Sequence, residues 1–152
     1  MNREIIKYPN PLLKKKAEEI KEVSSDIQKL AKDMIETMKN NQGVGLAAPQ
    51  VGESKRIIIV DDGSGPRVFI NPKIIKKSWK KAMTEEGCLS LPGYTLRIIR
   101  PREIEVEWLN EKGERTKLKA DGLLARIMQH EVDHLDGILL INRISFWQRI
   151  WA

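Results

Sequence analysis

The chain has 152 residues, with 41% hydrophobic and 32% charged residues and a net charge of +6. This balance is typical of a folded domain with its own core, and it excludes a disordered or fibrous protein. No apolar run reaches the roughly 18 residues of a membrane-spanning helix, and residues 1–20 lack the apolar centre of a secretory signal. We therefore expect one domain over residues 1–152, in the cytoplasm, where the single cysteine stays reduced. The charge alone does not indicate a DNA or membrane partner, and we expect neither.

Two helices are predicted from apolar residues at helical spacing. The first begins at Ser25, which forms a capping box with Gln28, and it ends before Gly43. Its apolar stripe contains Ile27, Leu30, Ala31, Met34, Ile35 and Met38. The second helix begins after Asp121 as its N-cap. Its apolar residues are Leu123, Leu124, Ile127, Met128 and Leu135.

Short extended segments are predicted between these helices. In chain order they are residues 56–60, 67–70, 103–108 and 115–119. Asn71 and Pro72 are predicted to end the second segment, because proline cannot donate to a strand ladder. A turn at residues 110–113 is predicted to join the last two segments into a hairpin. The fold class is therefore α+β, with short, mostly antiparallel sheets around a C-terminal helix.

The only histidines of the chain, His130 and His134, are four positions apart within the second predicted helix. Residues at this spacing lie on one helical face, so both imidazoles can bind one metal ion. Glu131 is rotated by about 100° from His130 around the helix, where it can reach an attacking water without ligating the metal. The segment QHEVDH therefore predicts a hydrolytic metal site.

The third ligand of such a site cannot be a histidine. A hydrolytic site usually has three protein ligands and one open position for water. The candidates for the third ligand are Cys88, Glu85, Glu86 and Asp136. Cys88 lies in TEEGCLSLP, a segment whose glycine and proline predict a sharply shaped, non-helical conformation. An isolated cysteine is usually an inert buried residue, but a nearby two-histidine motif favours ligation.

A third notable segment, GVGLAAPQ at residues 43–50, follows the first helix. Gly43 and Gly45 allow a close approach of the backbone to another group, and Gln50 offers a side-chain amide. The spacing of these glycines differs from that of a phosphate-binding loop.

Together, three segments of the chain resemble the peptide deformylase family, whose members remove the formyl group from the N-terminal methionine of new bacterial proteins. They are GVGLAAPQ at 43–50, EGCLS at 86–90 and QHEVDH at 129–134. The N-terminal KYPNPLL, the first helix and DGLLA at 121–125 extend the resemblance along the chain. The resemblance implies the deformylase fold, with the HExxH helix packed among small sheets.

The resemblance also implies a role for each matching residue. The metal ligands would be Cys88, His130 and His134. Glu131 would be the general acid and base, while Gln50 through its amide and Leu89 through its backbone N–H would stabilise the oxyanion. The backbone groups expected to hold an extended substrate belong to Val44, Gly45 and Gly87. The residues expected to line the methionine pocket are Val44, Leu123, Ile127 and His130.

The implied cofactor is one divalent metal ion. The family favours iron(II), and the same ligands accept zinc, nickel or cobalt. The implied substrates are N-formyl-methionyl nascent peptides, and we expect a monomer. Some members dock on the ribosome through a basic C-terminal helix, whereas here residues 146–151 contain one basic residue, Arg149. We expect those residues to form a short apolar helical turn. The only ribosome interaction that we consider possible is therefore a transient one.

Two alternatives stay open. HExxH is more commonly the motif of a zincin-type metalloprotease, although a cysteine ligand and the two companion segments argue against that reading. A protease would cleave internal peptide bonds and a deformylase only the N-formyl group. The other alternative is a basic RNA- or ribosome-binding module with a structural metal. It would need a clustered basic face with aromatic residues, whereas the lysines are scattered along the sequence.

Overall fold

The structure is a computed structural model that describes residues 1–144. Within these residues the helices are α1 (Ser25–Asn40), α2 (Gly122–Leu135) and α3 (Leu140–Arg143). The strands are β1 (Gly45–Ala47), β2 (Ile57–Val60), β3 (Arg67–Lys77), β4 (Lys81–Cys88), β5 (Leu91–Pro101), β6 (Glu103–Leu109) and β7 (Arg115–Asp121). Single turns of 3-10 helix cover Pro11–Lys14 and Ala48–Val51. The α+β prediction is confirmed, and the predicted turn at 146–151 lies outside the described residues.

Five strands form an antiparallel sheet in the order β1-β2-β3-β6-β7. The central apolar run of β2 is fully buried, because the two faces of the sheet are covered by different helices. Ile57 and Ile59 pack in a cluster with the apolar stripe of α1. Ile58 and Val60 face the other way and pack with α2. The alternation of side chains along one strand thus fixes the two helices on opposite sides.

The N-cap of the first helix lies one residue earlier than predicted. Ser24 is the N-cap, and its hydroxyl accepts a hydrogen bond from the backbone N–H of Ile27 at 3.4 Å. Ser25 is instead the first helical residue, so the predicted capping box is out of register by one position. The predicted apolar stripe is buried apart from the half-buried Ile35. No helix within residues 1–144 is long and apolar enough to cross a membrane.

The second predicted strand does not end at Asn71 and Pro72. It continues to Lys77, with a shift of register against β6 between Ile70 and Lys73. Asn71 has a φ of 49°, a left-handed conformation that asparagine tolerates, and its side chain bonds the backbone N–H and C=O of Ile20. The Asn-Pro pair is therefore a bulge within a long strand.

A second sheet, made of β4 and β5, carries the segment around Cys88. These strands were not predicted, although the segment is non-helical as expected. The predicted hairpin of β6 and β7 is confirmed, with Glu103 paired to Asp121 and Leu109 to Arg115. Asp121 is also the N-cap residue of α2, as predicted, but its side chain makes no capping hydrogen bond.

Candidate active site

The HExxH segment occupies the buried second half of α2. His130, Glu131 and His134 are at most 7% exposed, and the two imidazole centroids are 5.1 Å apart. Both rings lie on one face of the helix, as the spacing of four predicts. Because α2 packs on β1 and β2, these polar groups are held within the core of the molecule.

Cys88, at the end of β4, meets the histidines of α2. Its Sγ lies 3.2 Å from Nε2 of His134. The ligand atoms of Cys88, His130 and His134 all lie within 4.8 Å of one another, close enough to hold one metal ion. A shift of register between Gly87 and Cys88 ends the regular pairing of β4 at this position.

The other candidates for third ligand have different partners. Glu85 is exposed and lies 4.0 Å from Nε of Arg97. Asp136 pairs with Arg56 at 2.8 Å. Glu86 points inward, but its Oε1 lies 3.0 Å from Nδ1 of His130 and so bonds the far side of that ring.

Glu86 is held by two arginines as well as by His130. Arg100 donates to both of its carboxylate oxygens, at 2.7 and 2.9 Å, and Arg126 donates to Oε2. Burial raises the pKa of Glu86, but the hydrogen bonds from His130 and Arg100 outweigh it and lower the pKa to about 2. An ionised Glu86 accepts the Nδ1–H of His130, which leaves Nε2 of that ring free to bind a metal. Sequence reasoning considered Glu86 only as a ligand and missed this orienting contact.

Asp133 extends this network to α3. It accepts hydrogen bonds from Arg100 at 2.9 Å and from Arg143 at 2.7 and 3.0 Å. Asp133, at a variable position of the HExxH segment, therefore connects α2 with β5 and α3. Nothing in the spacing of the sequence indicated these partners.

The carboxylate of Glu131 is buried beside the candidate ligands. Burial raises its pKa to about 7, and its Oε2 lies 4.0 Å from Nε2 of His130. Its Oε1 is buried without a hydrogen-bond partner within the protein. A carboxyl group whose pKa is near neutrality can both accept and deliver a proton at physiological pH.

Gln50 is fixed next to Cys88 by two hydrogen bonds. Its Oε1 accepts from the backbone N–H of Ala47 at 2.9 Å, and its Nε2 donates to Oγ of Ser90 at 3.0 Å. The same Nε2 lies 3.6 Å from Sγ of Cys88. Ser90 in turn donates to the carbonyl of Ile6 at 2.6 Å, a contact that sequence reasoning missed. The amide therefore presents its N–H side to the candidate metal ligands.

The predicted substrate-binding residues surround one cleft of about 950 Å³. Its lining includes Val44, Gly45, Gly87, Leu89, Leu123 and Ile127, together with Gln50, Cys88, His130 and Glu131. Ile127 is buried, whereas Val44 and Leu123 are more than half exposed at the mouth. The structure thus brings together residues from three segments that are far apart in sequence.

Gly45 lets β1 lie directly against α2. A Cβ atom at this position would overlap Oε2 of Glu131 and would lie 2.7 Å from Cγ2 of Ile127. Gly43 similarly makes room for the side chain of Leu89, whose Cδ1 would be 2.7 Å from an added Cβ. The glycines predicted to allow close approach therefore do so, against side chains of the site itself.

The donor set fits a divalent transition metal. One cysteine sulfur and two imidazole nitrogens are ligands that suit iron, zinc, nickel and cobalt. A metal held by these three residues would have fewer protein ligands than a closed structural site, which is typical of catalytic sites. The hydrogen bond between His130 and Glu86 supplies the outer contact that metal-binding histidines usually have.

The chain matches known proteins over nearly its whole length. The sequence model described as polypeptide deformylase covers residues 2–149. The peptide deformylase of Thermodesulfovibrio yellowstonii is 54% identical over 149 residues, which cover 93% of this chain and 88% of that protein. That of Clostridium botulinum is 51% identical over 143 residues, 94% of this chain and 97% of that protein.

Solved structures give the same result for the fold. The crystal structure of peptide deformylase from Thermotoga maritima has a TM-score of 0.94 and 41% identity, over 95% of this chain and 99% of that one. The Ehrlichia chaffeensis enzyme in complex with actinonin has a TM-score of 0.93 and 42% identity, over 99% of this chain and 92% of that one. The predicted deformylase fold is therefore confirmed, and the chain belongs to the polypeptide deformylase family.

Proposed function

We propose that this protein is a metal-dependent hydrolase that removes the formyl group from the N-terminal formyl-methionine of newly synthesised proteins and releases formate. The observation that carries the proposal is the cluster of Cys88, His130 and His134 beside the buried Glu131, at the base of one cleft. The enzyme is a single catalytic domain over residues 1–152 that acts as a monomer in the cytoplasm.

The metal held by Cys88, His130 and His134 is iron(II) in this proposal, and zinc, nickel or cobalt can replace it. Such an ion supplies Lewis acidity and lowers the pKa of a coordinated water to about 7. The contact between Glu86 and Nδ1 of His130 supports this ligand set, because it orients the ring with Nε2 toward Cys88 and His134.

The peptide substrate lies along the free edge of β1. This strand pairs with β2 on one side only, and Val44 and Gly45 line the cleft on the other. Backbone groups of Val44, Gly45 and Gly87 hold the peptide in an extended pose, in the manner of an added strand. The methionine side chain lies against Val44, Leu123, Ile127 and the ring of His130.

Proton transfer is the role of Glu131. Its carboxylate takes a proton from the water that attacks the formyl carbon and then delivers it to the leaving amine. The burial that raises its pKa to about 7 suits both steps at neutral pH. Formate and a free N-terminal methionine are the products.

Two N–H donors stabilise the developing oxyanion. Gln50 offers its side-chain N–H, held by Ala47 and Ser90, and Leu89 offers its backbone N–H. Preorganised donors of this kind stabilise the transition state without reorganisation during the reaction.

Formate release from a formyl-Met tripeptide tests the proposal, with the metal content of the same sample measured. The matched substrates are the acetyl-Met tripeptide and an unformylated peptide with internal bonds. We expect release from the formyl substrate alone, because the proposed reaction acts on the N-formyl group. Cleavage of internal bonds would instead favour the zincin-like metallopeptidase.

The choice of metal has its own test. Iron(II) beside a thiolate ligand is open to oxidation by dioxygen, either of the iron or of the sulfur. We expect iron-loaded protein to lose activity in air while nickel-loaded protein keeps it, with the peptide that contains Cys88 examined by mass spectrometry. Equal, lasting activity in both forms would count against iron as the native metal.

A further inference from the structure

The turn between β3 and β4 exposes a large apolar side chain. Trp79 is 99% exposed, although a buried tryptophan typically removes 150–250 Å² of surface from water. It lies within the sequence KKSWKK at residues 76–81 and does not line the catalytic cleft. Tryptophan is enriched among the residues that contribute most of the binding energy at interfaces.

The backbone of this turn is fixed to the connection between β5 and β6. Ser78 donates its backbone N–H to the carbonyl of Glu103 at 2.9 Å, and its Oγ accepts from the N–H of Glu103 at 3.0 Å. Arg102 donates its N–H to the carbonyl of Lys80 at 2.9 Å. The indole is therefore presented by a turn that is hydrogen-bonded on both sides of it.

The sheet gathers positive charge around this indole. We call Trp79 and the cationic residues near it the Trp79 patch, whose cationic members are Lys76, Lys77, Lys80, Lys81, Arg102 and Lys119. The carboxylates on these strand ends are Glu103, Glu105 and Asp121, which leaves a local excess of three positive charges. Glu105 lies 3.7 Å from the ammonium groups of both Lys76 and Lys119. Four of the six cations lie within three residues of Trp79 in sequence, and the neighbouring strands add Arg102 and Lys119.

We propose that the Trp79 patch binds single-stranded RNA, with an unpaired base stacked on the indole and the neighbouring phosphates bound by the lysines and Arg102. Stacking on an aromatic ring together with contacts from cations to phosphate is the usual basis of single-strand recognition. A paired duplex keeps its bases stacked on one another and offers no partner to a single protruding indole. The side chains next to Trp79 are polar or charged, so the turn has no apolar surface with which to enter a lipid bilayer.

The position of the patch leaves the catalytic cleft open when RNA is bound. Trp79 is absent from the cleft lining, so a docked enzyme can still accept a peptide. Nascent chains are made on an RNA-rich particle, and docking there raises the effective concentration of enzyme near its substrate. This benefit rests on the proposed function, whereas RNA binding by the patch does not.

The test uses the metal-loaded full chain and a labelled single-stranded RNA of about 12 nucleotides, followed by fluorescence anisotropy. We expect Trp79→Ala to weaken binding by about 5- to 100-fold and Trp79→Phe to keep most of the affinity. Replacing Lys80 and Lys81 by alanine should lower the slope of log K against log salt by about 1.4, since each phosphate contact contributes about 0.7. The matched control replaces Lys29 and Lys32, exposed on α1, and should leave the slope unchanged.

Several results would overturn the inference. They are wild-type affinity in Trp79→Ala, equal affinity for duplex RNA, and binding to vesicles with anionic lipid but not to RNA. Formate release separates this inference from the proposed function, because Trp79→Ala should keep wild-type activity. RNA binding through Trp79 in a chain that releases no formate would refute the activity and leave the patch intact.

Discussion

At the scale of single residues, the buried carboxylate of Glu131 gives the sharpest expectation. It lies between two candidate ligands without belonging to the ligand set, so its removal should spare metal binding. We expect Glu131→Ala to lower kcat by about 10²- to 10⁴-fold, the usual contribution of general acid–base catalysis. The measurements are formate release and metal content, with Glu131→Gln as the isosteric control. A metal-loaded Glu131→Ala protein with near wild-type turnover would remove this residue from the mechanism.

Gln50 gives a second expectation at this scale. If its N–H meets the oxyanion, Gln50→Ala should lower kcat by roughly 10²-fold or more and change KM less. Ser90→Ala is the control, because it removes the hydrogen bond that holds the amide but keeps the amide itself. An effect of Gln50→Ala confined to KM would make this residue a binding group.

The third ligand shows how far residue spacing carries a prediction. The pair His130 and His134 follows from helical geometry alone, since both lie on one short segment. Cys88 lies 46 positions from His134, and only a tertiary fold can decide between it and the nearby acids. The resemblance to a known family identified Cys88 as the third ligand. Neither spacing nor resemblance indicated that Glu86 orients His130.

At the scale of secondary-structure elements, the contact between β1 and α2 depends on Gly45. The Cβ of an alanine there would overlap Glu131, so the strand or the helix would have to shift. We expect Gly45→Ala to lose at least tenfold in kcat/KM, because small displacements of catalytic groups are costly. Gly87→Ala is the structural comparison, since its Cβ would meet no atom closer than 3.7 Å. Thermal unfolding of the two variants, with kinetics, separates a displaced site from a general loss of stability.

Helix α1 is tied to the N-terminal segment by the buried carboxylate of Asp33. The hydrogen bond from the α-amino group of Met1 lowers the pKa of Asp33, whereas burial raises this pKa. The hydrogen bonds from Arg3 lower the pKa further. A carboxyl group with a lowered pKa stabilises the fold above its unfolded pKa of about 4, and this stabilisation is lost as the pH falls through the folded value. We expect Asp33→Asn to reduce the free energy of unfolding at pH 7, with a difference from wild type that shrinks below about pH 4. Urea unfolding of both proteins between pH 7 and about pH 3 checks this prediction. A difference in the free energy of unfolding that does not change with pH would contradict it.

The strands β4 and β5 could not be predicted from alternation because their inward positions are not all apolar. Glu86 and Arg100 are buried at 7% and 4% exposure and neutralise each other. On the outward side Met83 and Ile99 are more than half exposed. This hairpin therefore departs from the pattern of a half-buried strand, whereas the apolar β2 and the alternating β6 were predicted.

At the scale of the whole molecule, the metal site joins two sheets. Cys88 comes from the sheet of β4 and β5, while the histidines lie on the helix that covers the five-stranded sheet. A ligand present at about 1,000 times its dissociation constant stabilises the folded state by about 4 kcal/mol. We expect chelation to lower Tm by roughly 10 °C, since 1 kcal/mol shifts Tm by about 2–4 °C at this size. Differential scanning calorimetry checks this, and Cys88→Ser should unfold at the chelated temperature with or without added metal.

The order of the site's parts along the chain also sets when a new molecule becomes active. Gln50 and Leu89 are synthesised early, but the metal cannot be held until α2, which ends at Leu135, has emerged and folded against β1. Folding of α2 against β1 is therefore the step that completes the candidate ligand set. A truncated chain that stops before α2 keeps Gln50 and Cys88 but lacks both histidines and Glu131, so we expect it to bind no metal at this site.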